Sequence, residues 1–141
     1  MRKRTKAREA VLKILYQAEI TRRDITAASE QYWANAQTKD TAVIDFAARI
    51  TQGIAEHLAA IDDYIVRYAT NWQIKRMAVI DRNILRLGVF ELLFTEDIPP
   101  KVSINEAVEL AKKYGDTESS KFVNGILDKI HKEAADTKKD G

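Results

Sequence analysis

The chain has 141 residues, of which 45% are hydrophobic, 31% charged and 8% aromatic, with a formal net charge of +2 and no cysteine. This composition predicts one folded domain and excludes a disordered chain, disulfides and thiolate metal sites. No apolar run approaches the roughly 18 residues that cross a bilayer, so we expect no membrane partner. The absence of cysteine suits a reducing cytoplasm, where we expect the protein to be.

The basic residues are concentrated at the start of the chain. The first eight positions hold five cations and no acid, namely Arg2, Lys3, Arg4, Lys6 and Arg8. Lysine and arginine attract phosphates, and arginine adds bidentate geometry. The cluster therefore indicates a directed contact with a polyanion, and the alternative is a solubilising terminus.

Helical periodicity begins beside these cations and continues through the first half of the chain. Apolar residues spaced i, i+3, i+4 and i+7 from Val11 predict a first helix, and Thr26 is a candidate cap for a second. From Asp40 the same period continues to Ile65, which predicts one long helix or two nearly continuous ones. A short helical piece is expected around Ile74.

The second half is also helical in pattern. An interior helix runs from Ile80 to Leu93, and Pro99 and Pro100 mark its end. Ser103, followed by Glu106, has the spacing of a capping box that would open the next helix, which we expect to end at Gly115.

The last predicted helix begins at Ser119 or Ser120. Gly125 in its middle predicts that another helix crosses closely there. No segment shows sustained two-residue alternation, so the predicted fold class is all-α.

The sequence offers little catalytic chemistry. His57 and His131 lack the spacing of a metal site, and no glycine-rich phosphate loop is present. Adjacent acids such as Asp62 and Asp63 point in different directions on a helix, so we expect solvated faces and caps. We therefore predict no catalytic residues, no bound metal and no cofactor.

Lys121 and Phe122 form a second candidate for nucleic-acid binding. A cation beside an aromatic ring at a helix start can hold a phosphate and stack an unpaired base. The alternative is that Phe122 is a core residue, because it shares one helical face with Ile126 and Ile130.

Four blocks of the sequence resemble the NusB transcription antitermination factors in order and spacing. They are RKRTKAREAVLKILYQ at 2–17, DRNILRLGVFEL at 81–92, PPKVSINEAVELAKKYG at 99–115 and SKFVNGILD at 120–128. The resemblance covers nearly the whole chain and implies a compact bundle of about seven helices. It implies a single domain at 1–141 with two three-helix-type subdomains, about 1–70 and about 71–135, and a frayed tail at 136–141.

The same resemblance implies a non-enzymatic factor. Together with the ribosomal protein NusE, it would bind single-stranded boxA RNA of nascent ribosomal RNA transcripts, within the RNA polymerase antitermination complex. The RNA-binding residues that it implies are Arg2, Lys3, Arg4, Arg8, Glu118, Ser119, Lys121 and Phe122. The resemblance also implies that Asp81 is a protein-partner residue, because it resembles a position on the NusE-facing surface of the family.

A second hypothesis is a helical protein-interaction module, or a homodimer, whose basic arm binds an acidic partner. An exposed apolar patch formed by Tyr32, Trp33 or Trp72 would favour it.

Overall fold

A computed structural model describes residues 2–69 and 74–135, and every regular element in these two ranges is helical. The six α-helices are α1 (Lys3–Thr21), α2 (Ile25–Asn35), α3 (Thr41–Tyr68), α4 (Val79–Phe94), α5 (Pro100–Tyr114) and α6 (Ser119–Ile130). A 3-10 turn at Ile74–Arg76 and a π-helical turn at His131–Ala135 complete the described chain. The all-α prediction is confirmed, and residues 2–69 and 74–135 contain six α-helices where about seven were expected for the chain. Trp72 and the tail at 136–141 lie outside the described residues.

The chain separates into two compact units, Met1–Glu56 and His57–Gly141. The division falls within α3, where His57 has the non-helical dihedrals φ −116° and ψ 18°. The predicted long helix from Asp40 is therefore confirmed as a continuous element with one kink. The single domain at 1–141 with subdomains at about 1–70 and about 71–135 stays a prediction.

In the first unit, α1 packs against α2. Ile14, Ala18 and Ala28 form a small buried cluster, against which Tyr32 and Trp33 pack. Both aromatic residues are half-buried, so they contribute to the core and do not form the exposed patch that would favour the second hypothesis.

The cap of α2 differs from the expected one. The Asp24 carboxylate accepts a hydrogen bond from the Ala27 amide at 2.7 Å, so Asp24 is the N-cap and the helix begins at Ile25. Thr26 already lies inside the first turn. A carboxylate at this place satisfies a helix N–H and also favours the positive end of the helix dipole.

In the second unit, α4, α5 and α6 pack against one another in pairs. The close approach that was expected at Gly125 occurs instead at Gly88. A Cβ atom added to Gly88 would lie 2.6 Å from Leu127 Cδ1, whereas one added to Gly125 would meet nothing within 4 Å. The prediction for Gly125 is wrong, because this residue lies on the exposed face of α6.

The start of α5 also corrects the sequence interpretation. The helix begins at Pro100 with Pro99 as its N-cap, so Ser103 lies inside the first turn and does not cap the helix. Ser103 is 1% exposed, and its hydroxyl donates a hydrogen bond of 3.0 Å to Oε1 of the buried Glu91 on α4. Proline fits the first turn because its missing N–H has no helical partner there.

Gly115 ends α5 as predicted, and the amide of Gly115 donates to the Ala111 carbonyl at 2.9 Å. Its φ of −93° is open to any residue. A glycine is required because a Cβ atom would lie 2.4 Å from Ser119 Oγ and 2.8 Å from the Ala111 carbonyl oxygen. This close packing brings the start of α6 back against the end of α5.

Candidate nucleic-acid interface

The predicted cations at the start of the chain lie on a helix. Arg2 is the extended N-cap of α1, and the first turn of α1 contains no acid. Arg2, Lys3, Arg4 and Lys6 are exposed. Positive charge at a helix N-terminus is unfavourable, so a bound anion would stabilise this end of α1.

Two residues at the start of α3 hold part of this cationic group. Lys3 Nζ lies 3.3 Å from the Asp40 carboxylate, and the Arg4 guanidinium lies 4.5 Å from the centre of the Phe46 ring. The pKa of Asp40 is lowered: desolvation opposes the shift, but hydrogen bonds from Lys3 and from the Ala42 and Val43 amides outweigh it. These contacts fix two cations on one surface of the first unit.

Arg8 is placed differently from the other predicted RNA-binding cations. Its side chain is 1% exposed, and its guanidinium lies 5.2 Å from the centre of the Phe46 ring. In this structure Arg8 is therefore packed inside the protein, and the exposed cations are the four that precede it. The sequence could not show this, because the position of Phe46 depends on how α3 packs.

The remaining predicted residues gather at one cleft of about 570 Å³ in the second unit. All predicted site residues of the C-terminal half line this cleft, namely Asp81, Glu118, Ser119, Lys121 and Phe122. Four further lining residues were not predicted: Arg76, Met77, Ala78 and Asp116. The start of α4 and the start of α6 both contribute. The structure thus places Asp81, predicted for the protein partner, beside the residues predicted for RNA.

Asp116 organises the start of α6, a role that sequence reasoning missed. Its Oδ1 accepts hydrogen bonds from the amides of Glu118 at 2.9 Å and Ser119 at 3.1 Å. In return, the Asp116 amide donates to Ser119 Oγ at 3.0 Å. An aspartate two to three residues before a helix start is the local signal for this turn.

Exposure differs among the residues at this helix start. Glu118 and Lys121 are exposed, Phe122 is half-buried, and Ser119 is 2% exposed. The core face of α6 is formed by Val123, Ile126, Leu127 and Ile130. The Phe122 ring therefore keeps part of its surface toward the cleft, whereas Ser119 is part of the turn that shapes it.

Asp81 is a half-buried acid of the cleft. Its Oδ1 is buried and has no hydrogen-bond partner in the described structure. Desolvation raises the pKa of Asp81, a hydrogen bond with Ser119 opposes this, and the charge of Asp116 raises it further. Burial and the charge of Asp116 both favour the neutral form of this carboxyl group, which can donate a hydrogen bond as well as accept one.

Other kinds of site find little support among residues 2–69 and 74–135. No group of three or more His, Asp or Glu side chains there could hold a metal ion, and no helix in those ranges is long and apolar enough to cross a membrane. His57 is engaged by Phe94, whose ring stacks on the imidazole at 4.4 Å between centroids. Asp62 binds Arg86 through both carboxylate oxygens, at 2.8 and 3.0 Å, so it is an ion-pair partner in addition to a surface acid.

Comparison with known proteins decides the family. The model of the NusB family matches residues 5–132. The chain belongs to the NusB family. The transcription antitermination protein NusB of Anaeromyxobacter dehalogenans (strain 2CP-1) is 48% identical over 128 residues, which cover 91% of this chain and 89% of the relative.

Solved structures agree with the NusB family assignment. T. maritima NusB superposes with a TM-score of 0.85 at 46% identity, covering 96% of this chain and 95% of that one. A NusB chain from a crystal structure of the antitermination factors NusB and NusE with double-stranded RNA gives a TM-score of 0.81 at 31% identity, covering 94% and 98%. The helical arrangement described above is therefore that of known NusB proteins.

Proposed function

We propose that this chain is a non-enzymatic, RNA-binding transcription antitermination factor of the cytoplasm. With the ribosomal protein NusE it binds single-stranded boxA RNA of nascent ribosomal RNA transcripts and joins the RNA polymerase antitermination complex. Membership of the NusB family supports this proposal, as do relatives named as transcription antitermination proteins.

One observation carries the proposal. One cleft collects an exposed cation, Lys121, a half-buried ring, Phe122, and the half-buried carboxyl group of Asp81. A cation attracts a phosphate, a ring stacks a base, and a carboxyl group forms hydrogen bonds with a base edge. Together these three groups suit an unpaired nucleotide better than they suit a small acidic metabolite or a metal ion.

The exposed cations of α1 supply a second, less selective contact. Arg2, Lys3, Arg4 and Lys6 are exposed at the start of the first unit, where phosphate contacts add affinity without reading bases. We propose direct phosphate contacts for Arg2, Lys3 and Arg4. For Arg8 we propose an indirect role through Phe46, because its side chain is buried.

The deciding experiment is a binding titration of this protein, alone and with NusE, against labelled boxA RNA, a scrambled RNA of equal composition, and a duplex of the boxA sequence. We expect the boxA single strand to bind most tightly and NusE to increase that preference. The duplex is included because one solved relative was crystallised with double-stranded RNA. Equal binding to all three RNAs, with and without NusE, would refute the proposal.

The alternative, a protein-interaction module or homodimer, is favoured by one observation. Tyr16 and Ile20 lie one turn apart on α1 and are 40% and 56% exposed. Exposed apolar neighbours of this kind mark protein contact surfaces. Light scattering distinguishes the readings: a Tyr16→Lys variant that turns a dimer into a monomer without changing RNA binding would assign this surface to self-association.

A further inference from the structure

A second cleft, of about 510 Å³, lies within the first unit. It is formed by the end of α1, by α2 and by the irregular segment that follows α2. Four carboxamide side chains line it, from Gln17, Gln31, Asn35 and Gln37. Its volume falls in the range of about 300 to 1,000 Å³ that is usual for ligand sites.

The carboxamides of this cleft are only partly used by the protein. The Asn35 amide donates to the Gln31 backbone carbonyl at 3.1 Å, and the Arg23 guanidinium donates to Gln31 Oε1. Gln17 and Gln37 make no side-chain hydrogen bond within the described residues and are exposed. Each therefore offers a free donor and a free acceptor toward the cleft.

The chemistry of the lining side chains indicates which class of ligand fits this cleft. A carboxamide pairs a donor with an acceptor, as does the edge of a nucleobase, and asparagine and glutamine bind adenine in this way. Among the described residues that line the cleft, Arg23 is the only charged one, which is too little charge for a phosphate cluster or a divalent cation. Tyr32 adds an aromatic wall. We propose that this cleft binds one unpaired nucleotide of single-stranded RNA, with the base against the carboxamides and Tyr32 and the phosphate near Arg23.

One wall of the cleft is the end of α1, the helix whose start carries the exposed N-terminal cations. From Lys3 to Gln17, α1 rises about 21 Å at about 1.5 Å per residue. About six stacked nucleotides, at about 3.4 Å each, span that length. The inference rests on the proposed RNA-binding function, and it extends the RNA path from the start of α1 toward its end.

The test uses the full chain with NusE and five labelled RNAs. They are boxA RNA alone, boxA RNA with ten adenosines added at one end or the other, and the same RNAs with ten abasic ribose phosphates in place of the adenosines. We expect one adenosine tail to bind about five-fold more tightly than its abasic counterpart, the lower end of what one stacked base contributes. The abasic tail carries the same charge, so the difference reports the base alone.

Gln37→Ala and Gln17→Ala should each reduce that five-fold advantage while leaving boxA RNA without a tail unaffected. Gln52→Ala is the matched control, since Gln52 is an exposed glutamine of α3 that does not line the cleft. Thermal unfolding checks that each variant is folded. Equal binding of adenosine and abasic tails, or an advantage that both cleft variants retain, would overturn the inference.

A photo-crosslinking residue at position 37 identifies the occupant directly. A crosslink to the adenosine tail supports the inference, and a crosslink to NusE in its place overturns it. Failure of the proposed function is distinguishable from either result, because boxA RNA without a tail would then show no preference over the scrambled RNA.

Discussion

The start of α1 and the start of α6 use opposite means of contacting a nucleic acid. The first presents four exposed cations, of which Lys3 pairs with Asp40. The second is a shaped cleft with mixed charge, lined by Lys121, Phe122 and Asp81 among other residues. Exposed cations bind phosphates regardless of sequence, whereas a ring and a carboxyl group in a cleft depend on the base.

The two surfaces contribute differently to RNA binding: the α1 cations to affinity and the α6 cleft to selectivity for the base. Phosphate contacts release counterions, so their contribution falls as salt rises. Stacking on a ring depends little on salt. Removing each surface should therefore leave a different signature in the same titration.

The largest effect is expected from replacing Arg2, Lys3, Arg4 and Lys6 together by glutamine. If three or four of these cations meet phosphates, the log–log slope of affinity against salt should fall by about 2 to 3, at about 0.7 per phosphate for a single strand. Fluorescence anisotropy across a salt series measures the slope.

The matched control replaces four other exposed lysines by glutamine, at Lys112, Lys113, Lys129 and Lys132. This variant has the same change in net charge. An equal loss of slope in the control would mean that the effect is nonspecific, and an unchanged slope in the first variant would assign the α1 cations to solubility.

The next effect concerns the ring in the cleft. Phe122→Ala should weaken boxA RNA binding by about 1 to 3 kcal/mol, the usual contribution of one base stacked on an aromatic side chain, with the salt slope unchanged. Phe122→Leu keeps apolar volume without a stacking ring, so it should lose most of the same binding energy. Titration of both variants beside thermal unfolding measures binding and stability separately.

If Phe122 acts mainly as a core residue, Phe122→Ala should instead lower the free energy of unfolding by about 3 to 5 kcal/mol. Its half-buried position in the structure argues for the smaller structural cost. A folded Phe122→Ala variant with unchanged affinity would move the recognition surface away from α6.

A smaller effect is expected at Phe46, which lies beneath Arg4 and Arg8. A double-mutant cycle of Arg4→Gln and Phe46→Leu should give a coupling free energy of about 0.5 to 1 kcal/mol, the usual value for a cation over a ring at a partly exposed place. Urea denaturation of the four proteins measures it. A coupling near zero would show that the ring does not hold the Arg4 side chain.

The smallest effect is a pH dependence from Asp81, whose pKa is raised above the usual aspartate value of 3.8. In the window between 3.8 and the raised value, the folded state binds more protons than the unfolded state. The contribution of Asp81 to stability therefore declines as pH rises through that window, and the charged form is unfavourable above it.

Asp81→Asn should consequently raise the thermal midpoint at pH 7 relative to the original chain, and by less at pH 4. Asp63→Asn, at an exposed acid of α3, is the control and should show no such difference. A stabilisation by Asp81→Asn of equal size at both pH values would mean that burial does not perturb this carboxyl group.

Structural features that depend on neighbours along the chain could be predicted from the sequence. The long helix from Asp40, the end of α5 at Gly115 and the start of α6 at Ser119 follow from periodicity and local signals. The start of α5 was predicted wrongly because two local signals for a helix start competed there. Ser103 has the spacing of a cap, but Pro99 and Pro100 begin the helix first, and the serine hydroxyl binds Glu91 on α4.

The residues of the candidate interface also include some that the local sequence identified and some that it did not. Lys121 and Phe122 could be singled out from the sequence because a cation beside a ring at a helix start is a local pattern. Asp116 and Phe46 were missed: Asp116 acts through a turn that the sequence interpretation did not consider, and Phe46 acts on residues that are about forty positions away.

The sequence by itself determined that the chain is helical, that its cations are concentrated at the start, and that it resembles the NusB family. Each follows from residue types, spacing and order. Only the tertiary structure decided that Arg8 is buried against Phe46, that Gly88 and not Gly125 meets a neighbouring helix, and that Asp81 shares a cleft with Phe122. Burial and close approach are properties of packing between helices, and helical periodicity shows which face is buried without showing what that face meets.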